Sequence, residues 1–203
     1  MHNRVTVSPA IGLQDFPIGN PRTSMCESGS IRLIFVGRFL GWKGAWLAIE
    51  TLATLRNRGL NAHMTLMGEG AEFEALNNRG SLLGVKDSIS WLPWKPRSEV
   101  VQVFDNNDIM LFPSLHDSGA MVVLEAMARG LPVVCLKSGG PAMFVSPDCG
   151  HVVANDLSVA QTIEQLANGV EHIASDKFPR YSQNSISVAN NWISANIVRR
   201  IYQ

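Results

Sequence analysis

Three charged side chains, Arg38, Lys43 and Asp117, stand where short apolar runs give way to glycine-bearing turns, and with Glu125 further along from the last of them their types suit the holding of a phosphate and a polyol. Arg38 and Lys43 bracket the turn from Val36-Gly37-Arg38 to Gly41-Trp42-Lys43-Gly44, which leads into a helical pattern. Glycine lets a ligand approach the backbone, a helix start offers unpaired N–H groups, and cations add charge-assisted bonds to phosphate. Two ordinary surface charges on a loop would give the same pattern. Asp117 and Glu125 lie in P-S-L-H-D-S-G-A-M-V-V-L-E-A-M-A-R-G-L-P, residues 113–132. Glu125 is flanked by Val122, Val123, Leu124, Ala126 and Met127, so it is expected to be partly buried and to need a donor partner. A pair of sugar hydroxyls would serve; Arg129 at i+4, or a solvent-facing helix position, are the alternatives. Asp117 or Ser118 is otherwise an N-cap. The helix start at Ser118, Gly119, Ala120 and Met121 offers free N–H groups and a positive dipole end. An anion there and a carboxylate further along the helix fit a nucleoside diphosphate sugar.

Weaker candidates surround these. Gly68-Glu69-Gly70 is either a plain turn or room for a base or diphosphate. It is not a dinucleotide fingerprint, since Phe73 stands where the third glycine is required and the motif follows the second apolar run rather than the first. A nicotinamide or flavin dehydrogenase is set aside. Leu92 and Trp94, with Trp91 and Pro93, suit an apolar wall for a base or simple core packing. His116 reads as a loop hydrogen-bonding residue, and no histidine is spaced with acids or cysteines as metal ligands are.

The elements that must position these residues follow from periodicity. Ile31 to Val36, His63 to Met67, Ile89 to Leu92, Ile109 to Phe112, Pro132 to Leu136 and His151 to Val153 are nearly continuous apolar runs, as strands buried on both faces are. Helices are predicted from Ala45 to a stop at Gly59, over Ser98 to Phe104, Gly119 to Ala128, Leu157 to Ala174, and in an amphipathic stretch from Val188 to Tyr202. Alternation of strand and helix predicts an α/β domain: a Rossmann-like parallel sheet of about six strands with helices on both faces. Its ligands belong beyond the carboxyl ends of the strands. Met1 to Ser30, with Pro9, Gly12, Pro17, Gly19, Pro21 and Gly29, reads as a linker, and the domain as residues 31–203.

Composition narrows the classes. With 17 Lys+Arg against 17 Asp+Glu, nothing favours nucleic acid, and any anion must be held locally. The cysteines Cys26, Cys135 and Cys149 form no C-x-x-C pair, which argues against a disulfide framework or zinc site and for a reducing cytoplasm. No signal peptide opens the chain, and the stretch from Ala120 to Leu136 is too interrupted to span a membrane.

At these residues the sequence resembles the C-terminal donor-binding domain of family 4 glycosyltransferases, which retain anomeric configuration and have the two-domain GT-B fold. The resemblance runs from about Ile31 to the C-terminus. Its most specific part is P-S-x-x-D-S-G-x-x-x-x-E-A-M-A-x-G-L-P-V-V followed by Ser138-Gly139-Gly140, which is similar to the family's E-x7-E region and glycine pair. The resemblance implies that Glu125 bonds the donor ribose and that Arg38 and Lys43 neutralise the diphosphate. It also implies that Asp117 holds hexose hydroxyls, that the backbone at Gly119, Ala120 and Met121 cradles phosphate and sugar, and that residues 92–94 face the base. The first acid is Asp117 where glutamate is commoner, a shorter arm. No metal or other cofactor is implied, because cations and helix N–H groups replace it. A complete enzyme has a preceding acceptor-binding domain, for which Met1 to Ser30 leaves no room; Val5 to Leu13 resembles the strand and linker leaving it. A fragment inactive in isolation is therefore expected. The parent would use a glycan or lipid-linked acceptor, in the cytoplasm or at the inner membrane face with peripheral membrane association. A nucleotide-sugar epimerase half-domain and a non-catalytic nucleotide-binding module are the alternatives.

Overall fold

A computed structural model of the chain describes residues 13, 16–25 and 29–193. Its centre is one six-stranded, wholly parallel sheet in the order β3-β2-β1-β4-β5-β6. The strands are β1 (Ile31–Val36), β2 (Ala62–Met67), β3 (Ile89–Leu92), β4 (Ile109–Phe112), β5 (Val133–Leu136) and β6 (Gly150–Val153). All six stand within a residue of the predicted runs.

Near-continuous apolarity has a direct geometric cause here. Successive side chains of a strand point to opposite faces. Leu33 and Phe35 of β1 enter one core layer while Ile34 and Val36 enter the other, and β4 and β5 divide in the same way. The first layer is closed by α1 (Ala45–Asn57), α2 (Phe73–Leu82) and α6 (Val159–Ile173). The second is closed by α3 (Arg97–Asp105), α4 (Met121–Ala128), α5 (Pro141–Phe144) and the end of α7 (Phe178–Asn191). Ser158 and Gln161 form a reciprocal capping box that starts α6.

Helix α7 starts at Phe178, ahead of the predicted stretch from Val188 to Tyr202, and overlaps it to Asn191; residues 194–203 of that stretch lie outside the described residues. The described part of the expected linker is packed on the domain. Leu13 and Phe16 are buried, Leu13 bridges Ile193, and Gly19 donates to the carbonyl of Ala128 at 2.8 Å. Buried Cys135 of β5 has its thiol pushed up to about 12 by burial, which leaves it an apolar filler rather than a nucleophile. Among the described residues no helix is long and apolar enough to cross a membrane.

Candidate functional site

Strand order reverses between β1 and β4, and a crevice opens there beyond their carboxyl ends, the usual ligand position of a doubly wound sheet. Arg38, Lys43, Trp94, Asp117, Ala120 and Met121 line its centre, a hollow of about 270 Å³. Through Arg38 and Trp94 it joins a second hollow of about 470 Å³ that reaches Glu69 and Gly70. Through those two it joins a third of about 440 Å³, floored by Gly68 and walled by Phe39, Phe73, Trp91, Leu92 and Pro93. The three together exceed the space a small ligand needs.

Glycine makes this crevice possible. A Cβ on Gly68 would collide with the carbonyl of Gly37, and one on Gly70 with that of Phe39, so the β2 turn lets the Arg38 loop lie against it while both line the hollow. Gly139, at φ +76°, and Gly140 likewise leave room for the carbonyls of Asp117 and Ser118. Trp91 packs edge-on against Phe39 and Phe73, at 5.6 and 5.0 Å between centroids, which builds an apolar wall from the predicted tryptophan run. Trp94 is exposed, and Leu92 gives its carbonyl to Gly68 N–H at 3.0 Å.

The charges are arranged unevenly. Arg38 is exposed and its side chain makes no ion pair among the described residues. Lys43 donates to Asp117 Oδ2 at 2.6 Å, and the other oxygen of Asp117 accepts from the backbone N–H of Ala120 at 3.1 Å. Asp117 therefore ties the loop ahead of α4. Neither it nor Ser118 caps the helix, whose N-cap is Ala120 with no side-chain cap. Ala120 has φ +43°, the lone positive φ outside glycine among the described residues. Backbone strain of this kind collects at ligand clamps.

The sequence matches the family described as glycosyl transferases group 1 over residues 24–192. The chain belongs to that family. It is 34% identical over 161 residues to a D-inositol 3-phosphate glycosyltransferase of Corynebacterium efficiens, covering 72% of this chain and 38% of that protein. The pneumococcal O-GlcNAc transferase GtfA, solved with UDP and GlcNAc, superposes with a TM-score of 0.77 at 14% identity, over 92% of this chain and 37% of that one. Anabaena HepE, solved with UDP and glucose, gives 0.72 at 20% identity, over 86% of this chain and 47% of that one. These likenesses carry the Rossmann-like fold of GT-B glycosyltransferases. The chain spans less than half the length of the curated relatives it matches.

Within this glycosyltransferase domain the structure does not bring every candidate to the crevice wall. Ser118 and Gly119 pack beneath Gly140, and Glu125 lies one turn along the face of α4 that presents Met121 and Val122. Glu125 is 14% exposed and bonds Arg97 Nε through Oε1 at 2.8 Å. The i+4 alternative does not form, because Arg129 is bidentate to Asp105 at 2.9 and 2.8 Å. His116 is exposed, and its carbonyl accepts from Ser114 Oγ at 3.2 Å. Arg97 is the residue that sequence reasoning missed. It is 28 positions from Glu125 and carries no motif of its own; the demand that a partly buried Glu125 have a donor was its one signal.

Proposed function

We propose that the chain is the donor-binding half of a retaining family 4 transferase whose full-length parent moves a hexose from a nucleoside diphosphate sugar to a glycan or lipid-linked acceptor. The observation that carries this reading is the crevice at the switch point, where Arg38, without an ion pair among the described residues, Lys43 and the start of α4 converge. Arg38 and Lys43 take the diphosphate, and an arriving phosphate competes with Asp117 for Lys43. The first-turn N–H groups of α4 add fixed partial positive charge where negative charge collects on the departing diphosphate. Asp117 meets the hexose hydroxyls, Glu125 the ribose, and the wall of Trp91, Leu92 and Phe73 the base. Two structural neighbours were solved with UDP, which makes uridine the first base to try. The parent acts in the cytoplasm, at the inner membrane face where its acceptor is lipid-linked.

A calorimetric panel of UDP, GDP, ADP and their sugars tests the assignment. Binding of at least one, abolished in Glu125→Ala and Lys43→Ala, is expected; silence across the panel, or normal binding by both variants, overturns it. No metal takes part in this scheme, so EDTA is expected to leave the dissociation constant unchanged. Sugar transfer by the chain alone should be undetectable, because the acceptor-binding domain belongs to the rest of the parent.

A further inference from the structure

We propose that Arg97 is the positioning residue for Glu125, and that Phe16, from the segment ahead of β1, sets Arg97 in place. The inference rests on the reading of Glu125 as the ribose acceptor. Arg97 opens α3 directly after Pro96, whose ring fixes φ at −54° and aims the first helical side chain. From there Arg97 crosses to α4 and donates from Nε to Oε1 of Glu125 at 2.8 Å. Its guanidinium carbon lies 5.3 Å from the centroid of the Phe16 ring. Phe16 is 7% exposed and packs edge-on against Phe104 of α3 at 6.5 Å.

The asymmetry of the pair indicates its purpose. Glu125 is 14% exposed and Arg97 47%, so the arginine comes from outside to a carboxylate already fixed in the helix face. Exposed ion pairs contribute little to folding, so the effect of this one is expected in what Glu125 can hold. One carboxylate oxygen takes the Nε–H. Oε2 makes no hydrogen bond among the described residues, and a carboxylate offers about four lone-pair sites. A ribose diol can therefore be accepted without evicting Arg97, in an orientation that Arg97 has already selected. Trp94, three residues earlier, lines the crevice beside Arg38, so the same short loop contributes a wall of the site and the brace for its glutamate. Phe16 extends the brace to the segment that enters β1, joining that segment to the site through two side chains.

The test measures binding of UDP and of its 2′,3′-dideoxy analogue to the wild type, Glu125→Gln, Arg97→Ala, Arg97→Lys and Phe16→Ala, with a thermal melt of each. Wild type should prefer UDP, and Glu125→Gln should lose most of that preference. Arg97→Ala should weaken UDP binding about five- to tenfold, as loss of a charge-assisted bond does, while leaving the analogue nearly unchanged. Arg97→Lys should recover part of the preference, and Phe16→Ala should fall between wild type and Arg97→Ala. An Arg97→Ala protein that keeps the wild-type preference, or binds UDP more tightly, overturns the inference while leaving Glu125 in its role. A wild type indifferent to the two ligands overturns the ribose reading itself.

Discussion

Charged side chains gather at both edges of the sheet, and the two gatherings behave oppositely. At the amino edge, beneath β1 and β4, Arg22, Arg32, Arg129, Asp105 and Asp108 line a hollow of about 580 Å³, larger than any of the three at the carboxyl edge. Size and charge alone would make it the ligand site. Its guanidinium groups are already engaged. Arg32 is bidentate to Asp108 at 3.2 and 3.0 Å, Arg129 is bidentate to Asp105, and Arg22 donates to the carbonyls of Asn107 and Phe104. Burial draws the pKa of Arg22 down, and Asp108 and Asp105 counter that. At the carboxyl edge Arg38 has no carboxylate partner among the described residues, and the Lys43 ammonium pairs with Asp117 alone among them. Unsatisfied charge separates a site from a clamp. The amino edge clamps residues 16–25 to the domain, and the carboxyl edge is where the proposed function puts an anion.

The sharpest way to break this contrast is Asp108→Ala. Asp108 is 1% exposed and accepts from both the backbone and the side chain of Arg32, so its removal strips the Arg32 N–H of its acceptor and takes a carboxylate from between Arg32 and the largely covered Arg22. Loss of about 2–3 kcal/mol of stability is expected by chemical denaturation, with nucleotide affinity unchanged in the molecules that remain folded. Lys43→Ala should do the reverse: nucleotide affinity falls at least tenfold, while the denaturation midpoint moves less than in Asp108→Ala because Asp117 keeps the N–H of Ala120 and no buried backbone group loses its partner. If Lys43→Ala proves the more destabilising and Asp108→Ala the more damaging to binding, the two edges have been assigned the wrong way round.

The contrast also explains what was legible in the sequence. The strands were, because β1, β4 and β5 feed both core layers and need apolar residues at every position. The meeting of Arg38, Lys43 and Asp117 around one hollow at the carboxyl edge was, because they sit in loops whose glycines mark close backbone approach. Helix α2 was not, since FEALNNRGSL buries only Leu76 and Gly80 and so shows no apolar stripe. Helix α7 was not either, over Phe178 to Ser187, because its buried face includes Ser182, which accepts from Arg22 N–H, and Ser185, which donates to the carbonyls of Tyr181 and Cys149, where a stripe would show leucine. The clamp was invisible for a different reason. Arg22 reaches Phe104 and Asn107 across more than 80 positions, and only the fold brings them together.

A smaller effect is expected from Ala120→Gly, which probes how far the carboxyl edge is strained for its ligand. A non-glycine residue at φ +43° costs of order 1 kcal/mol or more, and glycine returns part of that gain as lost backbone entropy. A net rise of about 0.5 kcal/mol, or one to two degrees in Tm, is expected, together with weaker nucleotide binding as the loop loses its fixed shape. A fall in Tm would show that the conformation is unstrained.

The smallest effect lies at the amino side, in the pH dependence of stability. His151, the second residue of β6, is half-buried with its ring against Gly169 of α6, while His172 of α6 faces it and itself meets the ring of Tyr181 in α7. Burial, and secondarily the charge of His172, lowers the pKa of His151 below its ordinary 6.5. The unfolded chain therefore binds a proton more readily than the native one. Stability is full above about pH 6.5, falls as pH drops through that value, and levels off once the native imidazole is also protonated. The slope in that window stays below about 1.4 kcal/mol per pH unit, the limit for a single proton. Urea midpoints of wild type and His151→Gln between pH 5 and 8 should diverge only below about 6.5, with the variant the flatter of the two. An equal decline in both would place the titrating group outside the β6–α6 contact and leave this part of the amino side indifferent to pH.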